Sequence, residues 1–119
     1  MRVLIVAYDA GMAELWARHL ERAGNVVFLA SDQESAIITL CDHEVDVIVV
    51  NLVLNGEGTM AVADFAAYRQ PRAKVIFVSN GQFFSDGSVF QHFFNAFAVV
   101  PETVSADDLG AVVQYHGAA

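Results

Sequence analysis

The residues of this chain whose types could do chemistry stand directly after short apolar runs. Asn51 follows Val47–Val50 in the stretch DVIVVNLVLNGEG, and Ser79 follows the apolar run that begins at Val75. In an α/β protein, a side chain at the carboxyl end of a buried strand points into the crevice where ligands bind. A carboxylate at such a position would indicate a nucleophile or a metal ligand. Asn51 is an amide, which has no nucleophilic carboxylate oxygen.

Other kinds of chemistry find no support in the residue spacing. The glycines of NGEG and SNG lack the spacing of a phosphate-binding loop, and no Ser-His-Asp arrangement can be assembled. The four histidines are scattered and there are no cysteine pairs, so a zinc site is not expected. Cys41, the lone cysteine, is predicted to be a small buried apolar residue. We therefore predict no catalytic residues, no enzymatic activity and no metal site.

Length, charge and hydropathy limit the class of protein. The 119 residues suit a single domain, 1–119, and the hydrophobic fraction of 55% excludes a disordered chain. The net charge of −8 would repel nucleic-acid phosphates and anionic membrane surfaces. No apolar run approaches the ~18 residues of a membrane span, and Met1-Arg2 leads straight into a strand without a signal peptide. A cytoplasmic protein that binds neither nucleic acid nor membrane is expected.

The elements that must position these residues alternate between strands and helices. Near-continuous apolar runs predict strands that are covered on both faces, hence a parallel sheet. Five such runs occur, at Val3–Val6, Val26–Leu29, Val47–Val50, Val75–Val78 and Ala96–Val100.

The segments between the strands have helical patterns. The first helix is predicted to carry an apolar stripe and to stop at Gly24, and Ser31-Asp32-Gln33-Glu34 resembles a capping box that opens the second. A third helix is predicted from about Thr59 to Arg69, a fourth after Ser85-Asp86 and a fifth after Ser105. Their apolar positions are Met12, Leu15, Trp16, Leu20 and Ala23, with His19 beside that stripe, then Ile37, Leu40 and Cys41, then Leu109, Val112 and Val113.

This alternation predicts a flavodoxin-like (βα)₅ fold, a doubly wound α/β domain. Its five-stranded parallel sheet has the expected order 2-1-3-4-5. In that fold, function lies at the carboxyl ends of strands 1, 3, 4 and 5. These strands end in Ala7-Tyr8-Asp9, Asn51, Ser79-Asn80 and Val100-Pro101.

The order and spacing of the apolar motifs resemble the receiver domain of bacterial response regulators, of the chemotaxis-regulator type. The resemblance covers essentially the whole chain. RVLIV is similar to the family's opening strand, DVIVVN to the phospho-acceptor strand, KVIFVS to the strand with the hydroxyl residue, and AFAVVP to the strand that normally ends in Lys-Pro. The resemblance implies a two-component or phosphorelay signalling protein.

A working receiver needs charged groups that this chain lacks at the matching positions. The family uses an aspartate that attacks a phosphoryl group, two acids that hold Mg²⁺, a hydroxyl residue and a lysine. Asn51 stands at the acceptor position, Ala7 and Tyr8 at the acidic pair, and Val100 at the lysine. Ser79 alone matches the working pattern. When the acids and the lysine are both absent, the pocket is nearly neutral and no buried charge is left without a partner.

The resemblance therefore implies a degenerate pseudo-receiver that lacks the phospho-acceptor aspartate and needs no cofactor, Mg²⁺ included. Asp9 lies one position past the acidic pair and is more simply an N-cap of the first helix. Ser79 is either a retained functional residue or only a polar strand end. Tyr8 is expected to fill the vacated pocket, with its hydroxyl bonded to Asn51 or Ser79.

Phenylalanine is concentrated between residues 83 and 97. The resemblance makes the predicted fourth helix, the fifth strand and the predicted fifth helix a signalling and dimerising face, to which Phe90, Phe93, Phe94 and Phe97 would contribute. The alternative is that these rings belong to the core. We predict signalling through a protein partner or a homodimer that uses this face. A receiver with an unconventional acceptor and a small-ligand sensor are the alternatives.

Overall fold

The computed structural model describes residues 1–7, 10–52, 57–79, 96–101 and 103–118. Five parallel strands form one sheet in the order β2-β1-β3-β4-β5. The strands are β1 (Arg2–Val6), β2 (Val26–Ala30), β3 (Val47–Leu52), β4 (Lys74–Ser79) and β5 (Ala96–Pro101). The described helices are α1 (Ala10–Arg22), α2 (Gln33–Asp42), α3 (Glu57–Arg69) and α4 (Ala106–Ala118).

The predicted fold class is confirmed. Every predicted apolar run is a strand, and each strand extends one or two residues beyond its predicted run. The helix after Ser105 is α4 of the structure, while the helix predicted after Ser85-Asp86 lies outside the described residues. Among the described helices, none is long and apolar enough to cross a membrane.

The sheet separates two apolar cores, because successive strand residues point to opposite faces. One core lies beneath α2 and α3, and Leu40, Val62 and Phe77 are buried in it. The other lies beneath α1 and α4, and contains Trp16 and Leu109. The interior strands contribute to both cores, which explains their continuous apolar sequences.

The stripe predicted for α1 is wrong at two positions. Ala13, Trp16, Ala17 and Leu20 are its buried apolar residues, whereas Leu15 is 60% exposed and Ala23 is exposed beyond the end of the helix. The helix packs on the sheet through the side that carries Ala13 and Ala17, and this orientation leaves Leu15 exposed to solvent. The helix ends as predicted at Gly24, whose φ of +96° suits glycine.

The start of α2 differs from the predicted capping box. Asp32, not Ser31, is the N-cap, and its side chain accepts a hydrogen bond from the backbone N–H of Ser35 at 2.8 Å. The prediction that Cys41 is buried is also wrong, because Cys41 is exposed. The buried positions of α2 are Ala36 and Leu40, four residues apart, and Cys41 is turned about 100° from Leu40 around the helix axis.

Candidate functional site

Three of the predicted site residues lie at the carboxyl ends of strands, and therefore at one end of the sheet. The register pairs Asn51 with Val78, and Val78 with Val100. Ala7 follows directly after β1, whose last residue Val6 pairs with Val50. Ala7, Asn51 and Val100 therefore lie at the same, carboxyl end of the sheet, on or directly after β1, β3 and β5.

The face on which Asn51 lies follows from the alternation along β3. Val47 and Val49 belong to the core beneath α1 and α4, and Asn51 continues that series. Consistent with this, Asn51 Nδ2 donates a hydrogen bond to the Met12 sulfur on α1 at 3.8 Å. The contact between Asn51 and Met12 was not predicted, because the apolar stripe of α1 indicates which residues face the sheet but not which strand residue each one meets.

The side chain of Asn51 is buried, and its amide oxygen has no hydrogen-bond partner among the described residues. Asn51 is 2% exposed, and no described residue donates a hydrogen bond to its Oδ1. Leaving a buried acceptor without a partner costs about 1–3 kcal/mol. Most buried polar atoms in folded proteins have a partner, so within the described part of the chain this oxygen is an exception.

The neighbours of Asn51 at this edge are apolar members of the adjoining core. Ala7 is 2% exposed, and its backbone N–H donates to the carbonyl of Ala30 at 3.0 Å. Val100 is half-buried and packs against the same core. The positions that the resemblance matches to an acid and a lysine are therefore occupied by side chains without charge.

These residues do not fit a magnesium ion. Mg²⁺ prefers carboxylate oxygens in octahedral geometry, and Ala7 and Val100 have no side-chain oxygen, while Asn51 offers one neutral amide oxygen. Within the part of the chain that the structure describes, no group of three or more His, Cys, Asp or Glu side chains is close enough to hold a metal ion. No step of a reaction can be derived through a metal at this edge.

Several predicted residues lie outside the described residues. They are Tyr8, Asp9, Phe90, Phe93 and Phe94. The backbones of Ser79 and Phe97 belong to β4 and β5, but their side chains are not described. Ser79 is in register with Leu52 and Pro101, at the same end of the sheet as Asn51. The predicted plugging of the pocket by Tyr8 therefore stays a prediction.

An open groove at the opposite, amino end of the sheet was not predicted. Its volume is about 1040 Å³, and it runs between the end of α2 and the segment after α3. Three acids and three arginines line it, namely Asp42, Glu44, Asp46, Arg2, Arg69 and Arg72. Met1 also lines the groove, so positive and negative groups are mixed along its walls.

The fold has close counterparts among solved structures, although the sequence matches no protein-family model and no curated protein. A CheY-like response regulator receiver domain protein from Methanospirillum hungatei has a TM-score of 0.85 at 21% identity, over 98% of this chain and 93% of the other. A Thermotoga maritima response regulator in complex with Mg²⁺ and beryllofluoride has a TM-score of 0.78 at 22% identity, over 96% of each chain.

A third similar structure shows the phosphorylated state of such a protein. It is a response regulator from Burkholderia pseudomallei with a phosphorylated aspartic acid, a calcium ion and citrate. Its TM-score is 0.82 at 18% identity, over 98% of this chain and 68% of the other. The structural neighbours of this chain are thus response-regulator receiver domains, and the chain has the receiver-domain fold of two-component response regulators.

Proposed function

We propose that this chain is a non-phosphorylatable receiver, a pseudo-receiver that signals by protein–protein contact in a two-component or phosphorelay pathway. It is not an enzyme, and it acts in the cytoplasm without Mg²⁺. The observation that carries the proposal is Asn51, a buried amide at the end of the central strand, where the receivers that the chain resembles have their acceptor aspartate.

The neighbours of Asn51 support the same proposal on electrostatic grounds. A cluster of acids in one pocket requires a metal ion and a lysine to offset its repulsion. A lysine that remained after the acids were lost would be a buried charge without a partner, which is costly. Ala7 and Val100 replace an acid and the lysine together, so these two positions need no bound ion to balance their charge.

The surface proposed for the partner is formed by β5, α4 and the segment between β4 and β5. The described part of this surface includes α4. Leu109 and Val113 of α4 pack toward α1 and the sheet, whereas Tyr115 is 76% exposed. Exposed aromatic side chains are frequent anchors of protein interfaces. Without phosphorylation, binding at this face would be constitutive or set by the concentration of the partner.

A small-ligand sensor is the second candidate function. The observation in its favour is the buried Asn51 Oδ1, which no described residue satisfies. A ligand that donates a hydrogen bond to this oxygen would recover the cost of burying it. Thermal unfolding against a panel of metabolites tests the idea, because a specific ligand raises the unfolding midpoint.

Beryllofluoride and magnesium together test the proposed function. Beryllofluoride mimics a phosphoryl group on an aspartate, and a receiver with a working site is the positive control. Amide NMR spectra of this chain should show no change when both are added, because Asn51 offers no carboxylate. Saturable shifts of amides near Ala7, Asn51 and Val100 would contradict the proposal.

A further inference from the structure

The strand β2 forms one edge of the sheet and has the composition of a strand that pairs. Among the described strands, β2 has β1 on one side and no strand on the other. Its five residues, VVFLA, include no charge and no proline, the usual features that protect an edge from pairing. Val26 is 54% exposed and Leu29 is 47% exposed. The edge therefore exposes apolar side chains beside its backbone groups.

The hydrogen bonds to β1 show which backbone groups point outward. The N–H of Val26 donates to the carbonyl of Met1, and the carbonyl of Ala30 accepts from the N–H of Ala7, each at 3.0 Å. The backbone N–H and C=O of successive strand residues point alternately to one side and to the other. The backbone groups of Phe28 therefore also point toward β1. Val27 and Leu29 then direct two N–H and two C=O groups away from the sheet.

We propose that β2 pairs antiparallel with β2 of a second copy of this chain, around a two-fold axis at Phe28. In an antiparallel pair, hydrogen-bonded residue pairs alternate with pairs that are not hydrogen-bonded. An axis at Phe28 sets Val27 opposite Leu29 of the second copy and Leu29 opposite Val27 of the second copy. All four outward groups of each strand are then satisfied, and the two Phe28 residues form the central pair that is not hydrogen-bonded.

Other registers satisfy fewer groups. An axis at Val27 would pair Leu29 with Asn25 of the second copy, but the N–H of Asn25 already donates to the carbonyl of Leu20 at 3.1 Å. An axis at Leu29 would pair Val27 with Ser31, which lies beyond the end of β2. With the axis at Phe28, each outward N–H and C=O of β2 meets an outward partner group within β2 of the second copy.

Side chains on the sheet faces fit the same arrangement. Val27 packs against the core beneath α1, and Leu29 lies on the same face. The pairing would place Leu29 against Val27 of the second copy and cover its exposed surface. On the other face, Val26 would lie opposite Ala30 of the second copy.

The two ends of β2 differ in charge. The end of α1 precedes β2 and carries the exposed residues Arg18, Glu21 and Arg22, a net charge of +1. The start of α2 follows β2 and carries the exposed acids Asp32 and Glu34. Antiparallel pairing brings the end of α1 and the start of α2 of the second copy to the same end of the paired strands, where they lie on opposite faces of the sheet.

The size of the contact sets its strength. Pairing five residues with five buries less than the ~1,000 Å² of total surface that a stable specific interface clears. We expect a weak dimer that forms at high protein concentration. The two-fold pairing uses both β2 edges and closes on itself, so association stops at two copies.

Sedimentation velocity over a range of concentrations tests the proposal with a matched pair of variants. Leu29→Pro removes an outward N–H that makes no bond to β1, so the fold should persist while the dimer is lost. Leu29→Lys, which places a charge at the edge, should act in the same way and covers the case in which the proline variant does not fold. Circular dichroism checks folding.

The control is Leu15→Lys. Leu15 is also an exposed leucine, and it lies one turn from His19 on the same side of α1. The ring of His19 is 3.4 Å from Asp107 of α4, so this side of α1 faces away from β2. We expect this variant to dimerise as the wild type does. A wild type that stays monomeric at millimolar concentration would overturn the proposal, as would a Leu29→Lys variant that folds and still dimerises.

Amide hydrogen exchange locates the contact. The Val27 and Leu29 N–H groups should exchange slowly only at concentrations where the dimer forms, whereas the Val26 N–H, bonded to β1, should be protected throughout. A dimer that leaves the Val27 and Leu29 amides unprotected uses another face and refutes the pairing. Growth of species larger than a dimer also refutes it. None of these outcomes depends on whether the chain accepts phosphate.

Discussion

At the scale of single residues, Asn51 connects the sequence to the proposed function. Its position at the end of β3 follows from the apolar run that precedes it, and its burial follows from the packing of α1 over that face of the sheet. A buried amide needs no counter-ion, but a buried carboxylate does. The residue type at this one position therefore separates a neutral site from a site that requires a metal ion.

Asn51→Asp should be destabilising, with a characteristic pH dependence. No described residue near position 51 supplies a positive charge, so burial should raise the pKa of the new carboxyl above its value in the unfolded chain. At pH values below the pKa of this carboxyl in the unfolded chain, the folded and the unfolded states both bind the proton. The free energy of unfolding then does not depend on the shift in pKa. It falls as the pH rises and reaches its full loss, about 3 kcal/mol, above the raised pKa. Urea unfolding between pH 3.5 and pH 8 would measure this.

Asn51→Leu is the matched control for that substitution. It replaces the amide and its unsatisfied Oδ1 with an apolar side chain of similar size, so stability should change by no more than about 1 kcal/mol and should not depend on pH. A large loss of stability in Asn51→Leu would show that the amide oxygen has a strong partner outside the described residues.

Asp32 provides a second pH-dependent test. The hydrogen bond from the Ser35 backbone N–H lowers the pKa of the Asp32 carboxyl. The carboxylate thus stabilises the fold at pH values above its ordinary pKa, and this contribution is lost as the pH falls through the lowered pKa. Asp32→Ala should lower the thermal midpoint at pH 7 and less so in acid. Asp32→Asn keeps an N-cap oxygen and should retain most of the stability; equal losses in the two variants would contradict the capping role.

At the scale of elements, Gln70 connects α3 to the segment between α2 and β3. Its Oε1 accepts from the N–H of Val45 at 2.9 Å, while its Nε2 donates to the carbonyls of Leu40 at 2.8 Å and His43 at 2.7 Å. The carbonyl of Leu40 belongs to the last turn of α2, which lacks helical partners of its own. One side chain thus fixes the path by which the chain enters the central strand.

Gln70→Ala should destabilise the fold by about 2 kcal/mol, because three backbone groups lose their partner. Gln114→Ala, on the exposed side of α4, is the control and should have little effect. Chemical unfolding compares them. Equal stabilities of the two variants would show that water replaces the amide without cost.

The sequence predicted the elements better than it predicted their faces. All five strands follow from apolar runs, since a strand covered on both faces has that pattern, although β2 has it while Val26 and Leu29 are partly exposed. The prediction was wrong for Leu15, because the spacing of apolar residues does not show that Ala13 and Ala17 form the contact with the sheet. It was wrong for Cys41 because residue type predicts burial only on average.

Predictions about the site divide in the same way. The strand order alone places Ala7, Asn51 and Val100 at the same, carboxyl end of the sheet. The partner of Asn51 on α1 did not follow, because it depends on how far the helix slides along the sheet. Gln70 was missed because its three bonds join segments whose relative position only the folded chain defines.

At the scale of the whole molecule, the two proposed contacts use opposite edges of the sheet. The pseudo-receiver contact lies at β5 and α4, and the pairing of two copies lies at β2. The strands β1, β3 and β4 separate them, so a dimer would carry two independent partner sites. We expect partner binding to be unchanged in Leu29→Lys, and calorimetry with an identified partner would measure it.

Covalent phosphorylation distinguishes a pseudo-receiver from a working receiver. Wild-type protein and a variant with Ala7→Asp, Tyr8→Asp, Asn51→Asp and Val100→Lys are incubated with acetyl phosphate and Mg²⁺, and their intact masses are measured. The restored variant regains the charged groups that the family uses, and it should gain the mass of one phosphoryl group if it folds. The wild type should gain none. A wild type that acquires one phosphoryl group per chain, at any residue, would contradict the account.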